Sequence, residues 1–109
     1  MSINDNTSNE KIVKTGFLLK RSKYLGKWKK RFIVLTDNYI LAYTNDQRGA
    51  ECTMNLTIKD SFGPKHFDTG NDNEYGFSFA NEGKVYSFKT DKKNIKDEWF
   101  NLLRETLSR

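Results

Sequence analysis

The sequence predicts a mainly β domain, a small antiparallel barrel or sandwich of about seven strands closed by one C-terminal amphipathic α-helix. Three observations predict it. Short runs of aromatic and β-branched residues recur between frequent turn signals along most of the chain. From Ile95 the apolar period changes from two to three and four. Aromatic residues make up 14% of the 109 positions, ample core material for one domain of this length.

The strands read in order as follows. Thr15 to Lys20 is short and apolar, bounded by a polar loop. Trp28 to Leu35 is rich in aromatic and β-branched residues, and Asp37-Asn38 marks a tight turn into Tyr39 to Thr44. After the loop Asn45 to Gly49 comes a fourth strand, Cys52 to Ile58. A weaker fifth lies between Lys59 and Phe67, interrupted by Gly63-Pro64. Asp68 to Asn73 is a loop by composition. Tyr75 to Phe79 places Tyr75, Phe77 and Phe79 on one face, and Asn81-Glu82-Gly83 turns the chain into Val85 to Lys89. Ile95, Trp99, Leu102, Leu103, Thr106 and Leu107 then form one face of a helix of about 15 residues. Trp99 is its expected central anchor, with Asp91 or Asn94 as the expected cap.

Composition narrows the function. The first eleven residues are polar and read as a disordered tail, leaving 12–109 as the domain. The longest apolar stretches are about five residues, against the roughly 20 that a spanning helix needs, so any membrane contact is expected to be peripheral. No secretory signal is read at the start, and the single Cys52 suits a reducing compartment. The expected location is cytoplasmic. Metal-ligand spacing, a nucleophile motif and a Gly-rich phosphate loop are not found, so neither an enzyme nor a metal or other cofactor is expected. The lone His66 beside Phe67 reads as structural, and Asp97-Glu98 as a solvated helix face whose Glu98 pairs with nearby Lys.

Charge is concentrated in one place. Eight Lys or Arg and no acid lie between Lys14 and Arg31, whereas the whole chain carries only +5. The other 91 residues therefore sum to −3, and a local positive field points to an anionic partner. Lys29 and Arg31 are two apart and share a strand face with Ile33 and Leu35. Lys20 ends the preceding strand and is expected to meet them across a hairpin. Those three cations line a cup, with Arg21, Lys23 and Lys27 as its lip. Arg offers paired planar donors and Lys a compact point charge, so the cup suits a polyphosphorylated head group. Tyr24 and Leu25 at the loop tip are placed to dip into a headgroup layer.

The run Gly16 to Lys20, the run Trp28 to Leu35 and the terminal helix with Trp99 resemble a pleckstrin-homology (PH) domain over about Val13 to Leu107. The resemblance implies a strongly bent seven-stranded antiparallel barrel with the helix plugging one end. Members that bind 3-phosphorylated inositol lipids share a pattern that is matched here by Lys20, Arg21, Ser22, a six-residue spacer from Lys23 to Trp28, Lys29, Lys30, Arg31, Phe32 and Ile33. It implies Lys20 and Arg31 at the 3-phosphate, Lys29 in support and Arg48 as a further head-group arginine. Where several tight binders carry a Tyr on the third strand, this chain has Ala42.

The resemblance implies a monomeric module recruited to the plasma membrane by phosphatidylinositol 3,4,5-trisphosphate or 3,4-bisphosphate in the cytoplasmic leaflet. The alternative is a protein- or peptide-interaction module on the same superfold, with only non-specific affinity for anionic lipid. A single-stranded nucleic-acid partner is disfavoured by the apolar loop tip and the modest total charge.

Overall fold

A computed structural model describes residues 10–22 and 26–109. The strands are β1 (Ile12–Arg21), β2 (Trp28–Thr36), β3 (Tyr39–Tyr43), β4 (Cys52–Thr57), β5 (Ser61–Phe67), β6 (Tyr75–Asn81) and β7 (Lys84–Thr90), followed by α1 (Lys93–Leu107). They form one seven-stranded sheet in the order β4-β3-β2-β1-β7-β6-β5, with every neighbouring pair antiparallel. β1 is the middle strand. It pairs with β2 along nearly its whole length and with β7 through Leu19↔Lys89 and Lys20↔Phe88.

Strand parity sorts the side chains. Leu18, Ile33, Leu35, Ile40, Ala42 and Met54 enter the same core as Phe77, Phe79 and Phe88 of the other half. The alternate residues Phe32, Val34, Leu41 and Tyr43 make a second cluster, against which Ile12, Tyr39, Ala50 and Cys52 pack. β2 is therefore buried on both faces from Phe32 onward, which explains its unbroken apolar run. Burial raises the thiol pKa of Cys52, and Sγ donates to the Met54 carbonyl at 3.3 Å.

The seven strands and the 15-residue helix agree with the sequence reading, with small shifts at the ends. β1 starts at Ile12 rather than Thr15, because its early residues pair with β2 out to Thr36. Of the expected tail, Glu10 accepts from the Asn38 side chain at 3.0 Å, and the Lys11 carbonyl accepts from the Asp37 amide at 3.3 Å. The fourth strand stops at Thr57, and Ile58–Asp60 is a short 3-10 turn. β5 is an edge strand, which accommodates Pro64, and its pairing shifts between Phe62 and Lys65. Gly76 is required by close approach: a Cβ there would lie 2.8 Å from the Phe67 carbonyl oxygen.

The helix packs mainly on β5, β6 and β7. Trp99 is 1% exposed within the barrel core, and its indole lies over Gly16 of β1. Leu103 and Thr106 continue the buried stripe. The expected cap is corrected. The N-cap is Lys92, and no side chain caps the helix. Asp91 stands one residue too early, and Asn94 is already inside the first turn.

Candidate functional site

The β1–β2 hairpin carries the site. Lys20 is paired directly with Lys29, and Leu18 with Arg31. Facing residues in an antiparallel pair share a side of the sheet, so Lys20, Lys29 and Arg31 stand on the core side, toward the hairpin's open end. Ile33 and Leu35 lie deeper on that side and anchor it in the apolar core. The loop is closed by a hydrogen bond from the Ser22 amide to the Lys27 carbonyl. Gly26 turns it with φ +60°, and an added Cβ would lie 3.2 Å from the Arg21 guanidinium.

An open cavity of about 750 Å³ adjoins this hairpin. Lys20, Arg21, Ser22 and Gly26 line one side, residues 53–56 of β4 a second, and residues 84–87 of β7 a third. Lys20 Nζ lies 5.9 Å from the centre of the Tyr86 ring, a cation–π contact that steadies the ammonium group. Lys84 adds a third cation to the wall, whereas Thr53, Asn55 and Ser87 add neutral hydrogen-bonding groups. Among the described residues, none of the lining side chains is an acid. The cavity can therefore receive a phosphorylated ligand without repulsion from its own wall.

The expected residues divide into three groups. Lys20, Arg21 and Ser22 line the cavity. Lys29, Arg31, Lys27 and Arg48 do not. Lys29 is exposed on the same strand face, and Arg31 turns its guanidinium onto the Lys30 carbonyl at 2.9 Å. Lys27 and Arg48 are exposed, Arg48 in the β3–β4 loop just before Gly49, whose φ is +82°. Lys23, Tyr24 and Leu25 fall outside the described residues. Sequence reasoning missed Lys84, Tyr86 and the β4 wall. Tyr86 had a legible signal, since it alternates with Phe88 toward the barrel, but nothing local tied it to a hairpin some 60 residues earlier. Ala42 is fully buried between Ile33 and Met54, and Tyr43 belongs to the opposite cluster, so Tyr43 does not replace a third-strand tyrosine at the cup.

The outer face of the hairpin is braced rather than open. The Trp28 ring packs against Phe67 at 5.8 Å, and Lys89 Nζ lies 4.6 Å from the Trp28 ring centre. Lys89 also pairs with Glu74 at 3.0 Å. Lys30 lies 4.6 Å over the Phe17 ring. A shallower cavity of about 380 Å³ runs between these groups.

Several other titratable groups have structural partners. His66 stacks on Phe100, with centroids 4.2 Å apart and planes 9° from parallel. Its Nδ1 accepts from Lys96 Nζ. Burial of Lys96 lowers its pKa, an effect opposed by Asp97 and reinforced by Lys93. Glu98 pairs with Lys14 of β1 at 3.3 Å, a cross-element bond rather than one along the helix.

The family model of the PH domain matches residues 12–108, nearly the whole chain. The chain belongs to the PH-domain family. Solved PH domains share its shape. One structure of the Slm1 PH domain in complex with phosphoserine has a TM-score of 0.74 and 25% identity, covering 90% of this chain and 97% of that one. The same domain in complex with inositol 4-phosphate gives 0.71 and 24%, over 88% and 95%. The carboxyl-terminal PH domain of pleckstrin gives 0.71 and 21%, over 88% and 97%. PH domains are generally binding modules, and no enzyme family is indicated. Among the described residues, no helix is long and apolar enough to cross a membrane.

Proposed function

We propose that this PH domain is a phosphoinositide-binding, membrane-targeting module. The observation that carries the reading is the direct pairing of Lys20 with Lys29 beside a 750 Å³ cavity whose wall adds Arg21 and Lys84. Two lysines paired on one face of the sheet, with further cations around them, form a site that suits an anion. The Slm1 domain's complexes with phosphoserine and inositol 4-phosphate support a phosphate-bearing ligand. The matched basic pattern from Lys20 to Ile33 favours phosphatidylinositol 3,4,5-trisphosphate or 3,4-bisphosphate.

In this reading the basic face draws the domain to an anionic leaflet, at about 1 kcal/mol per Lys or Arg near the surface. Lys20, Arg21 and Ser22 then grip the head group by charge-assisted hydrogen bonds, with Lys29 and Arg31 swinging in from the same strand face. Lys23 and Lys27 extend the field at the lip, Arg48 approaches from the β3–β4 loop, and Tyr24 and Leu25 enter the headgroup layer. The domain acts as a monomer, held in the cytoplasm and recruited to the plasma membrane as a peripheral protein.

Sedimentation with vesicles bearing each phosphoinositide, at low and physiological salt, tests this. Retention by the 3-phosphorylated lipids at physiological salt is expected. Equal binding to all anionic vesicles that vanishes with salt would sink it. One observation favours a second reading: phosphoserine is also the phosphate carried by a modified protein. Competition of a phosphoserine peptide against soluble inositol phosphates separates the two, since a protein-binding module would prefer the peptide.

A further inference from the structure

The outer face of the β5–β6–β7 sheet carries an apolar row beside the basic cavity. Phe62 of β5 is paired with Ala80 of β6, and Ala80 with Val85 of β7. Directly paired residues share a face, so the three side chains form one line across three strands. Phe62 and Val85 are each 70% exposed, the two most exposed large apolar side chains among the described residues. Val85 also lines the cavity that holds Lys20 and Arg21. Neither residue is needed for the core, which Phe77, Phe79 and Phe88 fill from the opposite face.

The surroundings identify the partner. Exposed Lys59 and Lys65 are near neighbours of Phe62 in sequence and Lys84 of Val85. The acids nearest in sequence are Asp60, whose carboxylate accepts from the Thr57 hydroxyl at 2.6 Å, and exposed Glu82 at the hairpin tip. Apolar side chains among lysines match a surface that is anionic outside and apolar beneath. A second copy of this chain is a poor fit, because it would bring the same lysines together. Three side chains are also far short of the roughly 800 Å² per partner in a standard interface.

We infer that Phe62 and Val85 form a membrane-penetrating wedge, separate from the β1–β2 loop tip, which enters the headgroup–acyl boundary of an anionic bilayer while the adjoining cavity holds a lipid phosphate. This rests on the phosphoinositide reading. It adds a second point of contact on the β5–β7 half, so the hairpin and the wedge together fix the tilt of the barrel on the membrane.

Single cysteines at Phe62→Cys and Val85→Cys, in a Cys52→Ser background, carry an environment-sensitive dye. Vesicles contain phosphatidylcholine, about 20% phosphatidylserine and a few per cent phosphatidylinositol 3,4,5-trisphosphate. Both labels are expected to move to shorter wavelength and brighten on binding, whereas a control label at exposed Asn101 stays unchanged. The double variant Phe62→Gln/Val85→Gln is expected to leave vesicles about ten-fold faster. Phe62→Gln alone, at a residue that does not line the cavity, is expected to leave vesicles faster with its titration by soluble inositol 1,3,4,5-tetrakisphosphate unchanged. Labels that stay in water on bound vesicles, or an unchanged off-rate, would overturn the wedge while leaving the head-group site intact. Loss of oligomer in the double variant, with unchanged vesicle release, would assign the row to self-association instead. Failure of the unsubstituted domain to bind both the soluble head group and the vesicles would overturn both readings.

Discussion

Lys20 and Lys29 face each other across β1 and β2 as a directly paired couple on one face of the sheet. Like charges in that relationship destabilise a strand pair by a few tenths of a kcal/mol to about 1 kcal/mol. Lys29→Gln is therefore expected to raise the stability of the ligand-free domain by an amount in that range and to weaken phosphoinositide binding. Urea unfolding and vesicle binding measured on the same variant check both halves. An anion in the cup should also remove the repulsion, so the variant gains less thermal stability from soluble inositol phosphate than the parent does.

Lys20 is the cation that both pairs with Lys29 and lines the cavity. Truncating one partner of a buried charge-assisted contact typically costs about 2–5 kcal/mol. Lys20→Ala is thus expected to reduce affinity for soluble inositol 1,3,4,5-tetrakisphosphate by at least about thirty-fold. Calorimetry with the soluble head group reads this free of membrane effects. Retained affinity would place the phosphate elsewhere, with the outer groove by Lys30 and Lys89 the next place to look.

The uncapped start of α1 offers a gain. Lys92 occupies the N-cap with extended backbone and no side-chain bond to the first turn, and that turn contains no acid. Lys92→Asp supplies an acceptor for an orphan amide and a negative charge at the positive end of the helix dipole. An increase of about 1 kcal/mol is expected, read as a higher urea midpoint with an unchanged slope.

Lys96 gives a pH signature. It is 8% exposed, and burial holds its pKa below the ordinary lysine value. Asp97 on the helix opposes the shift, Lys93 adds to it, and His66 on β5 accepts a bond from its ammonium group. The cost of this buried charge is fully present below the folded pKa. Between the folded and unfolded values the unfolded chain binds more protons, so stability rises with pH through that window. Relative to Lys96→Met, the parent is expected to gain stability as pH is raised toward the ordinary lysine value of about 10.4, measured by denaturant unfolding at each pH. A parallel response of the two proteins would show that Lys96 is not the source.

Much of this was legible in the sequence for reasons of local periodicity. Alternation placed Lys29 and Arg31 on the same face as Ile33 and Leu35, and the pairing to Lys20 follows from a short hairpin. The three-and-four spacing found the helix and Trp99. What stayed hidden depends on chain segments far apart in sequence. The cavity wall from Thr53 to Leu56 and the Tyr86 contact to Lys20 arise only when the two halves of the sheet close on each other. Likewise Lys14 finds Glu98, 84 positions away, where sequence spacing suggested a helical neighbour. The helix cap was misplaced because a good capping residue is useless one position out of register.

The strand order also sets the timing of folding. β1 is the first strand of the domain and the middle one of its sheet. As the chain leaves the ribosome, β2, β3 and β4 can fold onto β1 as successive hairpins, each closing a short loop. The other flank of β1 stays unpaired until β7 arrives, some 70 residues later. Until then β1 exposes backbone amides and carbonyls along that flank, the form of edge that invites pairing with another chain. The lysines and arginines of the binding cup lie on that strand and its partner. Their mutual repulsion would keep two such half-made sheets apart during synthesis, so the charge that later grips a phosphate would already protect the nascent domain.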